Sequence, residues 1–127
     1  MALDSLLCLN QIAQAIFDKK GVNILALDLR PLSGLTEYVI IAEGSAYKHV
    51  IAIAKGVIDE MEKLGLKPLY VEGMRDGEWV ALDFSSIVVH LFLPDWREKY
   101  QLESLWKLAE IVDVHIDTSH PISKSAL

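Results

Sequence analysis

The sequence predicts an α/β protein of the α+β kind, a mixed five-stranded sheet with its helices mainly on one face. Three observations lead there. Residues 5–20 and 47–64 carry apolar side chains at helical spacing. Five short runs between and after them read as strands. The resulting order, αββαβββα, leaves two amphipathic helices that cannot bury their stripes alone and so must share one face of the sheet.

Within residues 5–20, Leu6, Leu9, Ile12, Ala13, Ile16 and Phe17 form the stripe. Asp4 or Ser5 can cap its start, and Gly21 suits its end. Residues 22–29 read as a strand, and Pro31-Leu32-Ser33-Gly34 as a turn. Residues 37–42 are nearly all apolar, as in a strand buried on both faces. The long helix, 47–64, shows Val50, Ile53, Ala54, Val57, Met61 and Leu64, and Gly65 closes it. Residues 67–72 form a third strand, with a turn over 73–77. Residues 78–83 and 86–93 are close enough to make a hairpin. Asp95-x-x-Glu98 suits a capping box for a last helix reaching Ile111. Residues 1–112 then make one domain, and the polar stretch 113–127 a flexible tail.

The 127 residues suffice for one core. Apolar residues make up 52% and charged residues 24%, a globular profile without internal repeats. A net charge of −6 argues against direct grip on phosphate backbones and favours a basic protein partner. Cys8 stands alone, so no internal disulfide can form, and a reduced cytoplasmic setting is expected. The first residues lack the basic region of a secretory signal, and no apolar run is long enough to span a bilayer.

Strand parity sorts the hairpin. With Phe84-Ser85 as a two-residue turn, Asp83 opposes Ser86 and Trp79 opposes His90. Val80, Leu82, Phe84, Ile87, Val89 and Leu91 share one face, which is core. Trp79, Ala81, Asp83, Ser86, Val88 and His90 share the other, and Tyr70 and Glu72 can extend it. An aromatic ring among a few polar groups suits a docking surface. A solvated sheet face, or one covered by the last helix, fits the pattern equally well.

Signals for chemistry are weak. Gly44-Ser45 before a helix matches the Gly-Ser signature of nucleotidyltransferases. The paired carboxylates that would hold their metal ions are missing from Ala46-Tyr47-Lys48-His49-Val50. Asp113, His115, Asp117 and His120 read as a chance string rather than a metal site. Cys8 reads as a core residue. Trp96, Tyr100 and Trp106 suit core or interface equally. No catalytic residue, cofactor or metal is expected.

Several segments together resemble the ribosomal silencing factor (Iojap) family. They are Tyr38-Val39-Ile40-Ile41-Ala42-Glu43-Gly44, Lys48-His49-Val50 with Ala52-Ile53-Ala54, Val71-Glu72-Gly73, and Trp79-Val80-Ala81-Leu82-Asp83 running into Val88-Val89-His90-Leu91-Phe92. The block from Arg97 to Trp106 completes the pattern, which does not extend past Trp106. Ala46, Lys48 and Ser85-Ser86 stand where the family usually has Ser, Arg and a Gly-Asp pair.

The resemblance implies a nucleotidyltransferase-like fold without catalytic acids. It also implies binding to a ribosomal protein on the intersubunit face of the large ribosomal subunit, which blocks subunit joining and represses translation when nutrients run short. No membrane and no sequence-specific nucleic-acid contact is implied, and a homodimer is left open. Glu72, Trp79, Asp83, His90, Arg97, Tyr100, Leu102, Glu103 and Trp106 match the family's motif residues and are the expected partner-binding set. A large-subunit assembly factor and a minimal nucleotidyltransferase-like enzyme are the alternatives.

Overall fold

The computed structural model describes residues 4–32, 34 and 36–118. Helix α1 (Ser5–Asp18) leads into β1 (Val22–Asp28) and β2 (Tyr38–Glu43), then α2 (Tyr47–Lys63). Three strands follow: β3 (Tyr70–Glu72), β4 (Trp79–Asp83) and β5 (Ile87–Phe92). The chain continues as α3 (Pro94–Tyr100), a 3-10 turn (Leu102–Trp106) and β6 (Glu110–Val112). The sheet has six strands rather than five, in the order β3-β4-β5-β2-β1-β6. Among the described residues only β2 and β5 pair in parallel.

Local chemistry explains most boundaries. Asp4 caps α1 by accepting the Leu6 amide at 3.1 Å. Helix α2 ends where Gly65, at φ +81°, lets the Leu66 amide turn back to the Met61 carbonyl. Leu9, Ile12 and Ile16 of α1 and Val50, Ile53, Val57 and Met61 of α2 pack on Ile40, Val80, Leu82, Val89 and Leu91. Cys8 is buried with them, and burial raises its thiol pKa above the usual value.

The other face holds a second, smaller core. Leu27, Leu29, Val39, Ile41 and Phe92 are buried there beneath Trp96, Leu102, Trp106 and Ala109. Strand β2 therefore lies between two cores, which is why Tyr38 to Ala42 are all buried.

The region after Leu93 departs from the sequence reading. In place of one helix to Ile111, Gln101 adopts left-handed backbone at φ 43° and ends α3 after seven residues. Pro94 occupies the first turn and Leu93 the cap position, so the expected capping box does not form. The freed chain folds over the sheet and adds β6 antiparallel to β1. Residues 113–117 are not loose either. Val114 and Ile116 pack on the first core. The His115 and Asp117 amides donate to Asn10 and Gln14 of α1, at 2.8 and 2.7 Å. The remainder of the expected tail, 119–127, lies outside the described residues.

The hairpin register is shifted by two residues. Trp79 faces Phe92, Ala81 faces His90, and Asp83 faces Val88. Phe84 donates its amide to the Ile87 carbonyl, making Ser85-Ser86 the turn. A shift of two preserves parity, so the assignment of faces survives the error in register.

Candidate docking surface

The face carrying the second core is only partly covered. Beyond its edge lies a strip built by β3, β4 and β5, with Tyr70 and Glu72 in the outer strand, Trp79, Ala81 and Asp83 in the next, and Val88 and His90 inside. Trp79 is half-buried. Its ring centroid lies 4.8 Å from Phe92 and 5.4 Å from Tyr100, and Tyr100 lies 5.4 Å from Trp96. The Lys99 ammonium sits 5.4 Å from the Tyr100 centroid, at the end of this aromatic string. Rings in such a row supply apolar contact area and keep few rotamers to lose on binding.

Backbone packing places Trp79. The preceding turn folds so closely that a side chain at Gly73, φ +86°, would meet the Trp79 carbonyl at 2.0 Å. The Trp79 Nε1–H donates to His90 Nδ1 at 3.0 Å. His90 is largely enclosed, and desolvation lowers its pKa to about 4, so the ring is neutral at physiological pH. Asp83 Oδ1 accepts the Ser85 amide at 2.7 Å, and Glu72 is exposed on the outer strand.

The nine residues singled out in the sequence fall into two groups. Glu72, Trp79, Asp83, His90 and Tyr100 border the open strip. Arg97, Leu102, Glu103 and Trp106 build the lobe beside it. Leu102 and Trp106 pack on the second core. Arg97 is engaged internally: its Nη1 donates to the Asn23 carbonyl at 2.5 Å and to Glu43 Oε2 at 3.0 Å, and its Nε to Glu103 Oε2 at 3.1 Å. Asn23 closes the network by donating to Glu43 Oε1 at 3.1 Å.

Sequence reasoning passed over Asn23 and the structural part of Glu43, because a β-bulge brings them to Arg97 and no local pattern announces it. It also ran one helix through Leu105 and Leu108 to Ile111. They stand 71%, 86% and 73% exposed beside the strand edge.

At the Gly44-Ser45 position, His49 Nδ1 accepts the Ser45 amide at 2.8 Å and stands 3.1 Å from its hydroxyl. His49 Nε2 contacts the Lys19 carbonyl at 2.7 Å, so the ring joins the end of α1 to the start of α2. Among the described residues no group of three His, Cys, Asp or Glu could hold a metal, and His120 lies outside them. No helix among them is long and apolar enough to cross a membrane.

The family model described as "Ribosomal silencing factor during starvation" matches residues 3–126, well past Trp106, where the motif resemblance stops. The chain belongs to the ribosomal silencing factor family. A ribosomal silencing factor of Bacillus subtilis is 37% identical over 102 residues, covering 80% of this chain and 86% of that protein. The crystal structure of a Chromobacterium violaceum protein superposes with a TM-score of 0.81 at 29% identity, covering 94% of this chain and 99% of that one. A mouse protein named for mitochondrial assembly of the ribosomal large subunit is 27% identical over 108 residues. Those residues cover 83% of this chain and 47% of the mouse protein. Family membership thus agrees with the superposition of the fold.

Proposed function

We propose that this chain docks through the β3-β4-β5 strip onto a protein displayed on the intersubunit face of the large ribosomal subunit. There it blocks joining of the small subunit, and so represses translation in the cytoplasm. The observation that carries the reading is the aromatic string that runs from buried Phe92 through half-buried Trp79 to exposed Tyr100 and half-buried Trp96, opening onto a strip flanked by Glu72 and Asp83. Desolvated rings supply affinity, while carboxylates favour a basic partner such as a ribosomal protein. Its action is steric, and no residue is assigned a catalytic role.

The test is direct. Purified chain added to dissociated subunits should sediment with large subunits and lower the fraction that joins. Sedimentation with small subunits, or undiminished joining at saturating chain, overturns the reading. The mouse relative's name favours a second reading, assistance to large-subunit assembly. That reading predicts precursor large particles when the chain is depleted from growing cells, without any effect on joining of mature subunits.

A further inference from the structure

Resting on that docking surface, we propose that Trp79 fixes the tautomer of His90 so that its Nε2–H is presented as a donor to a main-chain carbonyl of the bound partner. An indole nitrogen can only donate, so the 3.0 Å bond from Trp79 Nε1 obliges His90 Nδ1 to be the bare, accepting nitrogen. The proton of the neutral imidazole is therefore on Nε2. Among the described residues Nε2 has no hydrogen-bond partner, and it is not among the buried atoms left unpaired. The donor thus meets solvent on a face where the Trp79 indole and one oxygen of Asp83 are already engaged.

The ground around it selects the acceptor. Glu72, Ala81 and His90 lie in one cross-strand row, with the smallest of the three in the middle. Strand spacing puts the outer two about 10 Å apart, roughly the width of one extended peptide. Trp79 and Asp83 border the same notch along β4. An anionic acceptor, whether carboxylate or phosphate, would be repelled by Glu72 and Asp83. A carbonyl oxygen carries no such penalty, and a cationic side chain on the same segment can meet the carboxylates. The occupant is therefore a basic, extended protein segment.

Nitrogen-15 spectra of ring-labelled histidine in the free chain should show His90 as the Nε2–H tautomer. Trp79→Phe, which keeps a ring but removes the donor, should release it to a mixture. With large subunits as the probe, His90→Phe should weaken binding about 10- to 100-fold, the consequence of an unpaired partner carbonyl. His90→Gln, whose amide offers a donor at a similar reach, should recover most of that loss. An Nδ1–H tautomer in the free chain, or a folded His90→Phe chain binding as tightly as the parent, overturns the proposal. Should His90→Phe unfold, the tautomer spectrum of the parent against Trp79→Phe still decides it. Failure of the parent itself to bind large subunits overturns the docking reading instead, a result distinguishable from every one above.

Discussion

Arg97 Nη1 lies 3.0 Å from Oε2 of Glu43, and both side chains are only 12% exposed. The pair joins α3 to the end of β2 across 54 residues of sequence. With Glu103 and the Asn23 carbonyl it anchors the lobe that carries Trp96 and Tyr100. A planar guanidinium serves these directions at once, whereas an ammonium cannot.

Arg97→Lys should therefore lower stability by about 1–2 kcal/mol. Arg97→Ala, which strands two carboxylates, should lower it by about 2–4 kcal/mol. Thermal or urea unfolding measures both. An Arg97→Ala chain as stable as the parent would show that the lobe is held by its apolar contacts alone.

Trp79→Ala should separate binding from folding, though less cleanly than strand parity alone suggests. The ring touches Phe92 and Tyr100, so a stability loss of about 1–2 kcal/mol is expected, against about 2–5 kcal/mol for Leu82→Ala in the first core. Binding to large subunits should fall roughly 30- to 1,000-fold for Trp79→Ala. Equal affinity, with the fold intact, would remove Trp79 from the docking surface.

The pH dependence of stability follows from His90. Its folded pKa, about 4, lies below the ordinary value of 6.5, so between these limits the unfolded chain binds more protons than the folded one. Its stabilising contribution is complete above about pH 6.5 and is lost as pH falls toward about 4. The loss should be on the order of 2–3 kcal/mol. In His90→Phe that part of the acid decline should vanish when urea midpoints are compared across this range.

Ser85 adopts φ +75° at the hairpin turn, a region that favours glycine. Ser85→Gly should raise stability by about 0.5–1 kcal/mol without altering subunit binding. A drop in the melting midpoint would mean that the seryl side chain holds the turn by some other contact.

At Gly44-Ser45 the expectation is chemical silence. With magnesium or manganese, no nucleotide transfer or hydrolysis above background should be measurable, because no carboxylate pair follows the motif. Turnover that disappears in Ser45→Ala would assign this chain an enzymatic role.

How much of this was legible beforehand depends on distance along the chain. Helices α1 and α2 and the faces of β4 and β5 follow from periodicity, which is local and redundant. The register of the hairpin does not, since Phe84-Ser85 and Ser85-Ser86 are equally plausible turns by composition. Leu102, Leu105, Trp106 and Ile111 mimic a helix stripe, and the break at Gln101 has neither glycine nor proline to signal it. That Trp79, Asp83 and His90 share one face was accessible through parity. The internal engagement of Arg97 was not, because it depends on Glu43 and Asn23 arriving from another part of the sheet.

The pairing of β6 with β1 bears on how the molecule is made. Strand β1 leaves the synthesising ribosome early, yet its outer edge has no neighbour until Glu110–Val112 emerges. Strand β2 likewise waits for β5 to lie alongside it. A chain emerging residue by residue therefore carries open strand edges until residues 110–112 have appeared, and its sheet closes only then. Premature termination anywhere before β6 would release a protein with an uncovered edge, a target for proteolysis or aggregation rather than a partly active fragment.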